Sequence, residues 1–164
     1  MCRWLAVTLL MLTIPAPAIA DVSSITRDFF RQPVVERMRT FRTHPLDVQL
    51  ALFLYGNQKV HPPAQYLADC FALSGPDGVT LLRERLGMPG SDLDIRDMAM
   101  LLETMQAAGT YDVRHDAQLM GRLSERIATM RDQGWKSTAL SMLKRIETAV
   151  LHRPASVSQC AIAT

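Results

Sequence analysis

The sequence is poor in the features that define several protein classes. Three cysteines in 164 residues are too few for a fold built on disulfides, and 8 glycines and 9 prolines without a short period exclude collagen-like and low-complexity chains. A formal net charge of +2 provides no broad basic field, so we expect no nucleic acid among the partners. Because 48% of the residues are hydrophobic and 21% are charged, a disordered chain is excluded and one globular domain is expected.

The first twenty residues have the pattern of a secretory signal peptide. Arg3 supplies a positive charge, an apolar run covers residues 5–14, and the small residues Ala18 and Ala20 stand before Asp21. The apolar run is shorter than the roughly 20 residues of a membrane span, which argues against the alternative of an uncleaved anchor. We therefore expect cleavage between Ala20 and Asp21 and a periplasmic or secreted product, with no transmembrane helix after residue 20.

Two cysteines, Cys70 and Cys160, remain after this cleavage. In an oxidising compartment such a pair is a candidate disulfide, which would tie the end of the chain back to the domain. The alternative is a small buried apolar residue at Cys70 and a free thiol at Cys160. The sequence favours the disulfide, because exported proteins rarely keep an exposed free thiol.

Residues 21–154 show apolar residues at helical spacing, and the alternation typical of strands is almost absent. Pro33 predicts a kink or a break near the start, and Ser91 with Asp94 resembles a capping box at a later helix start. We predict a single all-α domain of seven or eight short helices, followed by a flexible tail over 155–164.

Further expectations concern three particular helices. The helix after Pro45 is apolar on most of its surface, which indicates a central position, and Gly56 with Asn57 is expected to end it. Gly134 is expected to terminate the helix that precedes the last one. In the last helix, Leu140 is expected on the core-facing stripe and Met142 off it.

Short connections predict successive antiparallel helix hairpins over 44–87 and 88–154. In this series of helix hairpins the chain resembles helical-repeat proteins of the HEAT and armadillo kind, which have a period of roughly 40 residues. The resemblance implies stacked hairpins and a binding surface, and it brings no catalytic residues with it. A compact irregular bundle is the alternative architecture.

Residues that carry catalytic or metal chemistry are scattered. No two of the four histidines lie three or four residues apart, so no helix offers a histidine pair to zinc, and we expect no metal or other cofactor. The acidic run from Asp92 to Asp97 departs from a calcium loop, because Asp97 stands where that loop requires glycine. The one remaining polar cluster is Asp112, His115 and Asp116, and catalytic residues are not assigned.

The segment 23–42 combines five arginines with apolar residues and resembles an amphipathic helix that lies on an anionic membrane surface. The simpler interpretation is that its apolar stripe packs on the core and its arginines face solvent.

These patterns lead to three functional hypotheses. The first is a non-enzymatic exported domain that binds another protein of the bacterial envelope. The second is a small envelope enzyme whose cleft contains Asp112, His115 and Asp116. The third is contact with a membrane surface through 23–42.

Overall fold

The structure is a computed structural model that describes residues 21–149 and Cys160. This part of the chain contains eight α-helices, one short 3-10 turn and no strand, so the predicted all-α fold of seven or eight helices is confirmed. The elements are α1 (Asp21–Arg31), α2 (Val34–Phe41), α3 (Leu46–Lys59), α4 (Leu67–Ala72), α5 (Gly75–Leu86), α6 (Asp92–Ala108), the 3-10 turn (Val113–His115), α7 (Ala117–Ala128) and α8 (Gln133–Thr148).

Several predictions fall on residues outside this range. The signal peptide over 1–20 and residue Ala20 of its cleavage site lie outside the described residues, as do the last five residues of the predicted domain, 150–154. The tail predicted to be flexible, 155–164, also lies outside them except for Cys160.

The first two helices are separated at Pro33, which has no backbone N–H to continue a helix. Phe29 of α1 and Phe41 of α2 are buried in the core, with ring centroids 6.2 Å apart. Arg37 crosses back from α2 and donates a hydrogen bond to the carbonyl oxygen of Phe30 over 2.8 Å. Phe29 and Phe41 of this segment therefore serve packing within the domain.

Helix α6 is the centre of the domain. It contacts α3, α4, α5, α7, α8 and the 3-10 turn. The sequence predicts a central position for α3, and the structure corrects this, because one side of α3 faces solvent and Tyr55 is 46% exposed. The buried side chains of α6 form two adjoining stripes: Ile95, Asp97, Met98, Ala99, Leu101, Leu102, Met105, Gln106 and Ala108.

Both ends of α6 have local causes that can be read from the sequence. At the start, Ser91 Oγ accepts from the backbone N–H of Asp94, and the Asp94 carboxylate accepts from the backbone N–H of Ser91 over 3.0 Å. This is a reciprocal capping box, as predicted, with aspartate in the place that glutamate usually takes. At the other end Gly109 adopts a φ of 64°, a left-handed conformation that glycine adopts without a Cβ clash.

Helix α3 is longer than the sequence predicts, because it continues through Gly56 and Asn57 to Lys59. Gly56 is needed for close packing rather than for termination. A Cβ atom there would lie 2.6 Å from Cζ of Phe30 and 2.9 Å from Cβ of Ala64, distances that real side chains do not adopt. Glycine in the helix interior costs about 1 kcal/mol in helix propensity, but here it allows α1 and the segment before α4 to approach α3.

Three predictions about the last helices are wrong. Gly134 is the second residue of α8 rather than a stop, because the Asp132 side chain caps that helix by accepting from the backbone N–H of Trp135 over 2.9 Å. Leu140, expected in the core, is 48% exposed, and Met142 is buried instead. The core stripe of α8 is Ala139, Met142, Leu143 and Ile146.

Cys70 and Cys160 form a disulfide, with Cα atoms 5.2 Å apart and 90 residues of sequence separation. Both cysteines are buried. A disulfide persists in oxidising compartments and is rare in the cytosol, so the bond is in keeping with a location outside the cytoplasm.

The helices together fit a bundle or an irregular solenoid, the two architectures expected from the hairpin pattern. None of the described helices is both long and apolar enough to cross a membrane.

Candidate functional site

The predicted cluster near residue 112 is only partly assembled. Asp112 and His115 lie at the two ends of the 3-10 turn, and His115 Nδ1 is 2.6 Å from the Asp112 carboxylate. The hydrogen bond with His115 lowers the pKa of Asp112. The imidazole stands in solvent, with its side chain 71% exposed. This is a surface pair whose second ring nitrogen faces outward from the carboxylate.

Asp116 has a structural role at the start of α7. Its carboxylate accepts from the backbone N–H of Leu119 over 3.0 Å, which caps the helix, and from the Tyr111 hydroxyl over 2.8 Å. It also pairs with Arg83 of α5. Burial opposes the charge, but these hydrogen bonds outweigh it and lower the pKa of Asp116. Asp116 therefore joins α5 to α7 and is not the third member of a site with His115.

The chemistry available to this surface is limited. A carboxylate can orient an imidazole as a general base, but a hydrolytic site also needs a nucleophile or a positioned water near the base. Across the part of the chain that the structure describes, no group of three or more histidine, cysteine, aspartate or glutamate side chains is placed to hold a metal ion. The structure thus shows a hydrogen-bonded Asp112–His115 pair, and among the described residues no metal-holding group of three such side chains includes it.

A second polar cluster is buried and was missed by the sequence analysis. Asp97 of α6 is fully buried and accepts hydrogen bonds from Asn57 over 2.7 Å and from Gln58 over 2.9 Å, both in the last turn of α3. Arg96, with its side chain only 11% exposed, pairs with the same carboxylate. Gln58 reaches Asp94 as well, over 3.0 Å. We call Asn57, Gln58, Arg96 and Asp97 the Asp97 cluster.

The Asp97 cluster joins helices around a carboxylate whose charged form is disfavoured by burial. Burial raises the pKa of Asp97 in spite of the hydrogen bonds from Gln58, Arg96 and Asn57. The Arg96 guanidinium also lies over the Trp135 ring of α8, 4.4 Å from its centroid, a cation–π arrangement. The cluster therefore connects α3, α6 and α8 through the contacts of Asp97 and Arg96.

The signal for this cluster is present in the sequence. Asp97 occupies the same helical stripe as Leu101, four residues on, and Asn57 occupies the stripe of Leu50 and Phe53. A polar residue on an apolar stripe must find a partner inside the protein, because burying it alone is costly. Sequence spacing does not show that partner, since Asn57 and Asp97 are 40 residues apart.

A cleft of about 190 Å³ opens between α3, the loop after α5 and the start of α6. The buried side chains of Leu50 and Met98 line its interior, and Met88, 51% exposed, lies at its mouth. We call this the α3 cleft. Charges of both signs accompany its apolar lining: Asp47, Arg85 and Asp94.

The α3 cleft has a negative charge, that of Asp94, beside its apolar lining. Asp94 is tied to the capping box and to Gln58, and these hydrogen bonds outweigh burial and lower its pKa. Asp94 thus stays ionised beside the apolar interior. A surface with an apolar centre and polar groups of both signs at its edge is the usual composition of a protein-binding patch.

The segment 23–42, expected to contact membranes, has some of its apolar side chains in the core and others at the surface. Its phenylalanines are largely used in the core, and two of its arginines pair with acids of their own helix, Arg31 with Asp28 over 3.7 Å and Arg39 with Glu36 over 3.2 Å. Val34 and Val35 are the large apolar side chains of 24–42 that stay exposed. Membrane contact through this face remains a prediction, now resting on a smaller apolar surface.

Comparison with known proteins gives no assignment: no protein family, no curated protein and no solved structure matches this chain.

Proposed function

We propose that this chain is an exported, non-enzymatic binding module of the bacterial envelope, which holds a protein partner through the α3 cleft. The observation that carries the proposal is the apolar cleft itself, with Met88 half exposed at its mouth. At about 190 Å³ it is smaller than the pockets that enclose small-molecule ligands, which span about 300–1,000 Å³. It suits a single apolar side chain inserted from a partner's surface.

Binding energy in protein interfaces is concentrated in such insertions. A few apolar or aromatic anchors fill pockets near the centre, and surrounding polar contacts exclude water. In the α3 cleft, Leu50 and Met98 would contact the anchor, and Asp47 and Arg85 would lie at the edge of the interface. The predicted signal peptide and the Cys70–Cys160 disulfide support a location outside the cytoplasm for this binding.

The experiment places a photoactivatable amino acid at Met88 and exposes the protein to an envelope extract under light. We expect one adduct in near-stoichiometric yield. The matched control carries the same amino acid at Leu140, which is 48% exposed on α8 and far from the cleft in sequence, and it should not give this adduct. Identical adducts from both positions, or none from Met88, would refute the proposal.

A second variant tests the cleft directly. Ala51→Phe places an aromatic ring among the lining residues of the α3 cleft and should abolish the adduct at Met88. A circular dichroism melt confirms that this variant still folds. Persistence of the adduct at wild-type yield would show that the partner does not use the cleft interior.

An enzymatic function has one observation in its favour, the 2.6 Å contact between Asp112 and His115 beside an exposed imidazole. If His115 is a general base, His115→Ala abolishes an envelope activity and leaves the melting temperature unchanged. A variant that keeps the activity excludes this role for His115.

A further inference from the structure

A groove of about 430 Å³ runs between α4, α6 and α8, on residues that differ from those of the α3 cleft. Its charged side chains are Asp69 of α4, Glu103 of α6 and Arg145 of α8. Glu103 and Arg145 form a two-point ion pair, with Arg145 Nη2 2.9 Å from one glutamate oxygen. Both of these charges are therefore neutralised by each other.

Asp69 is the charged side chain of this groove that has no opposite charge paired with it among the described residues. No hydrogen bond or ion pair joins it to any residue that the structure describes, and burial is the cause that raises its pKa. A half-buried carboxylate of this kind reduces the free energy of unfolding at neutral pH, since asparagine of the same shape would avoid the cost of desolvating the charge. A cation seated in the groove would remove that cost.

We propose that the Asp69 groove binds a lysine side chain of a partner protein. One free carboxylate matches a single positive charge. Gln65 and Thr104 line the same groove and present oxygen acceptors, and an ammonium group has three N–H donors to share among them. Met100 and Met142 supply apolar surface for a four-carbon stem. The inference rests on the proposed function only in taking the partner to be a protein.

Lysine fits this groove better than arginine for a geometric reason. A guanidinium binds most strongly to a carboxylate through two parallel hydrogen bonds, and an ammonium acts as a compact point charge with three rotatable donors. Glu103, the second carboxylate of the groove, already uses both of its oxygens on Arg145. The remaining acceptors are the Asp69 carboxylate and the separate oxygens of Gln65 and Thr104, and an ammonium can direct its three donors to different side chains.

The test is an NMR titration of the isotopically labelled protein with N-acetyl-lysine N-methylamide. We expect saturable shifts at the amides of Ala68, Asp69 and Thr104, and a fall in the pKa of the Asp69 carboxyl when the probe is bound. The norleucine analogue, with the same stem and no charge, should cause no such shifts, and the arginine analogue should bind more weakly. Shifts without saturation, or tighter binding of the arginine analogue, would overturn the proposal.

The variant pair is Asp69→Asn and Glu84→Gln. Asp69→Asn removes the carboxylate of the groove, and we expect about tenfold weaker binding of the lysine probe or its loss. Glu84→Gln removes an exposed carboxylate on α5 outside the groove and should bind as the wild type does. Equal loss in both variants would show that general negative charge attracts the probe, which refutes the groove.

Further outcomes distinguish a lysine site from self-association, and the failure of this proposal from the failure of the proposed function. Broadening of the groove amides with protein concentration, without any probe, would assign the groove to a second copy of this chain and overturn the lysine proposal. The titration uses no envelope extract and does not involve Met88. Probe binding without an adduct at Met88 would refute the role of the α3 cleft and leave the groove intact, and the reverse result would refute the groove alone.

Discussion

The Asp97 cluster and the Asp112–His115 pair each place an aspartate carboxylate against a polar side chain, but in opposite surroundings. Asp97 is fully buried and takes its amide partners from α3, 39 and 40 residues away. Asp112 takes its nearest partner from the same 3-10 turn, three residues away, and that partner is 71% exposed. The comparison teaches that a carboxylate close to a histidine in sequence can form an exposed local pair, while a buried carboxylate can take its partners from distant segments.

The largest expected effect in this comparison comes from removing Asp97. Asp97→Ala leaves the Arg96 charge without its carboxylate in a nearly buried position and deprives Asn57 and Gln58 of their acceptor. Breaking a buried ion pair by removing one partner typically costs about 3–5 kcal/mol, and we expect a loss of about 3 kcal/mol or more in the free energy of unfolding. Urea denaturation measures it.

A double-mutant cycle with Asn57→Ala checks the source of this loss. Coupling between the two positions should be clear, because the Asn57–Asp97 hydrogen bond joins two helices in the buried interior. Additive losses would mean that the two residues act independently and that the cluster is not a single unit.

An intermediate effect is expected at Asp116, which is partly buried and contacts the partly buried Arg83 and Tyr111. Asp116→Ala removes the cap of α7 and the pairing with Arg83, and we expect it to lower the free energy of unfolding by about 1–2 kcal/mol. Asp116→Asn keeps a capping oxygen and should recover part of this loss. If both variants lose the same amount, the cap contributes nothing and the contact with Arg83 accounts for the effect.

The pH dependence of stability should have opposite signs at the two carboxylates. The pKa of Asp97 is raised by burial, so folding favours its protonated form and its contribution to stability grows as pH falls toward about 4. The pKa of Asp116 is lowered, because its hydrogen bonds outweigh burial, so its contribution is present above about pH 4 and is lost as pH falls further.

Denaturation curves from pH 7 to pH 3 test these signs. Relative to the wild type, Asp97→Asn should lose stability more steeply on acidification, and Asp116→Asn less steeply. Slopes of the same sign for both variants would show that Asp97 and Asp116 do not differ in the way the structure indicates.

The smallest effect is expected at His115. Exposed ion pairs contribute little to stability, since solvent screens the charges and the side chains lose freedom on pairing. His115→Ala should leave the denaturation midpoint unchanged within the precision of the measurement. A clear destabilisation would mean that the pair holds the 3-10 turn in place, and the contrast with Asp97 would then be one of degree.

The sequence predicts this fold well where the causes are local. The helical spacing of apolar residues, the break at Pro33 and the capping box of Ser91 and Asp94 depend on residues within a few positions of one another, and the structure confirms all three. Gly134 is the exception among local features: it resembles a helix stop in the sequence, but it lies in the first turn of α8, which Asp132 caps.

Features that depend on packing between helices could not be predicted in this way. Gly56 looks like a helix end until Phe30 and Ala64 are seen against it, and the partners of Asp97 are set by how α3 lies on α6. The groove at Asp69 is likewise formed by three helices that are distant in sequence. Patterns of period and composition contain no information about which faces meet.

The disulfide between Cys70 and Cys160 closes α5 to α8 into a covalent ring and leaves α1 to α3 outside it. A protease that cuts once within the ring converts it to a nicked chain that still migrates as one species without reductant. A cut before residue 70 instead yields two separable fragments after denaturation. Proteolysis would therefore affect the two parts of this molecule differently: a cut between residues 70 and 160 leaves the pieces joined by the disulfide, and a cut before residue 70 does not.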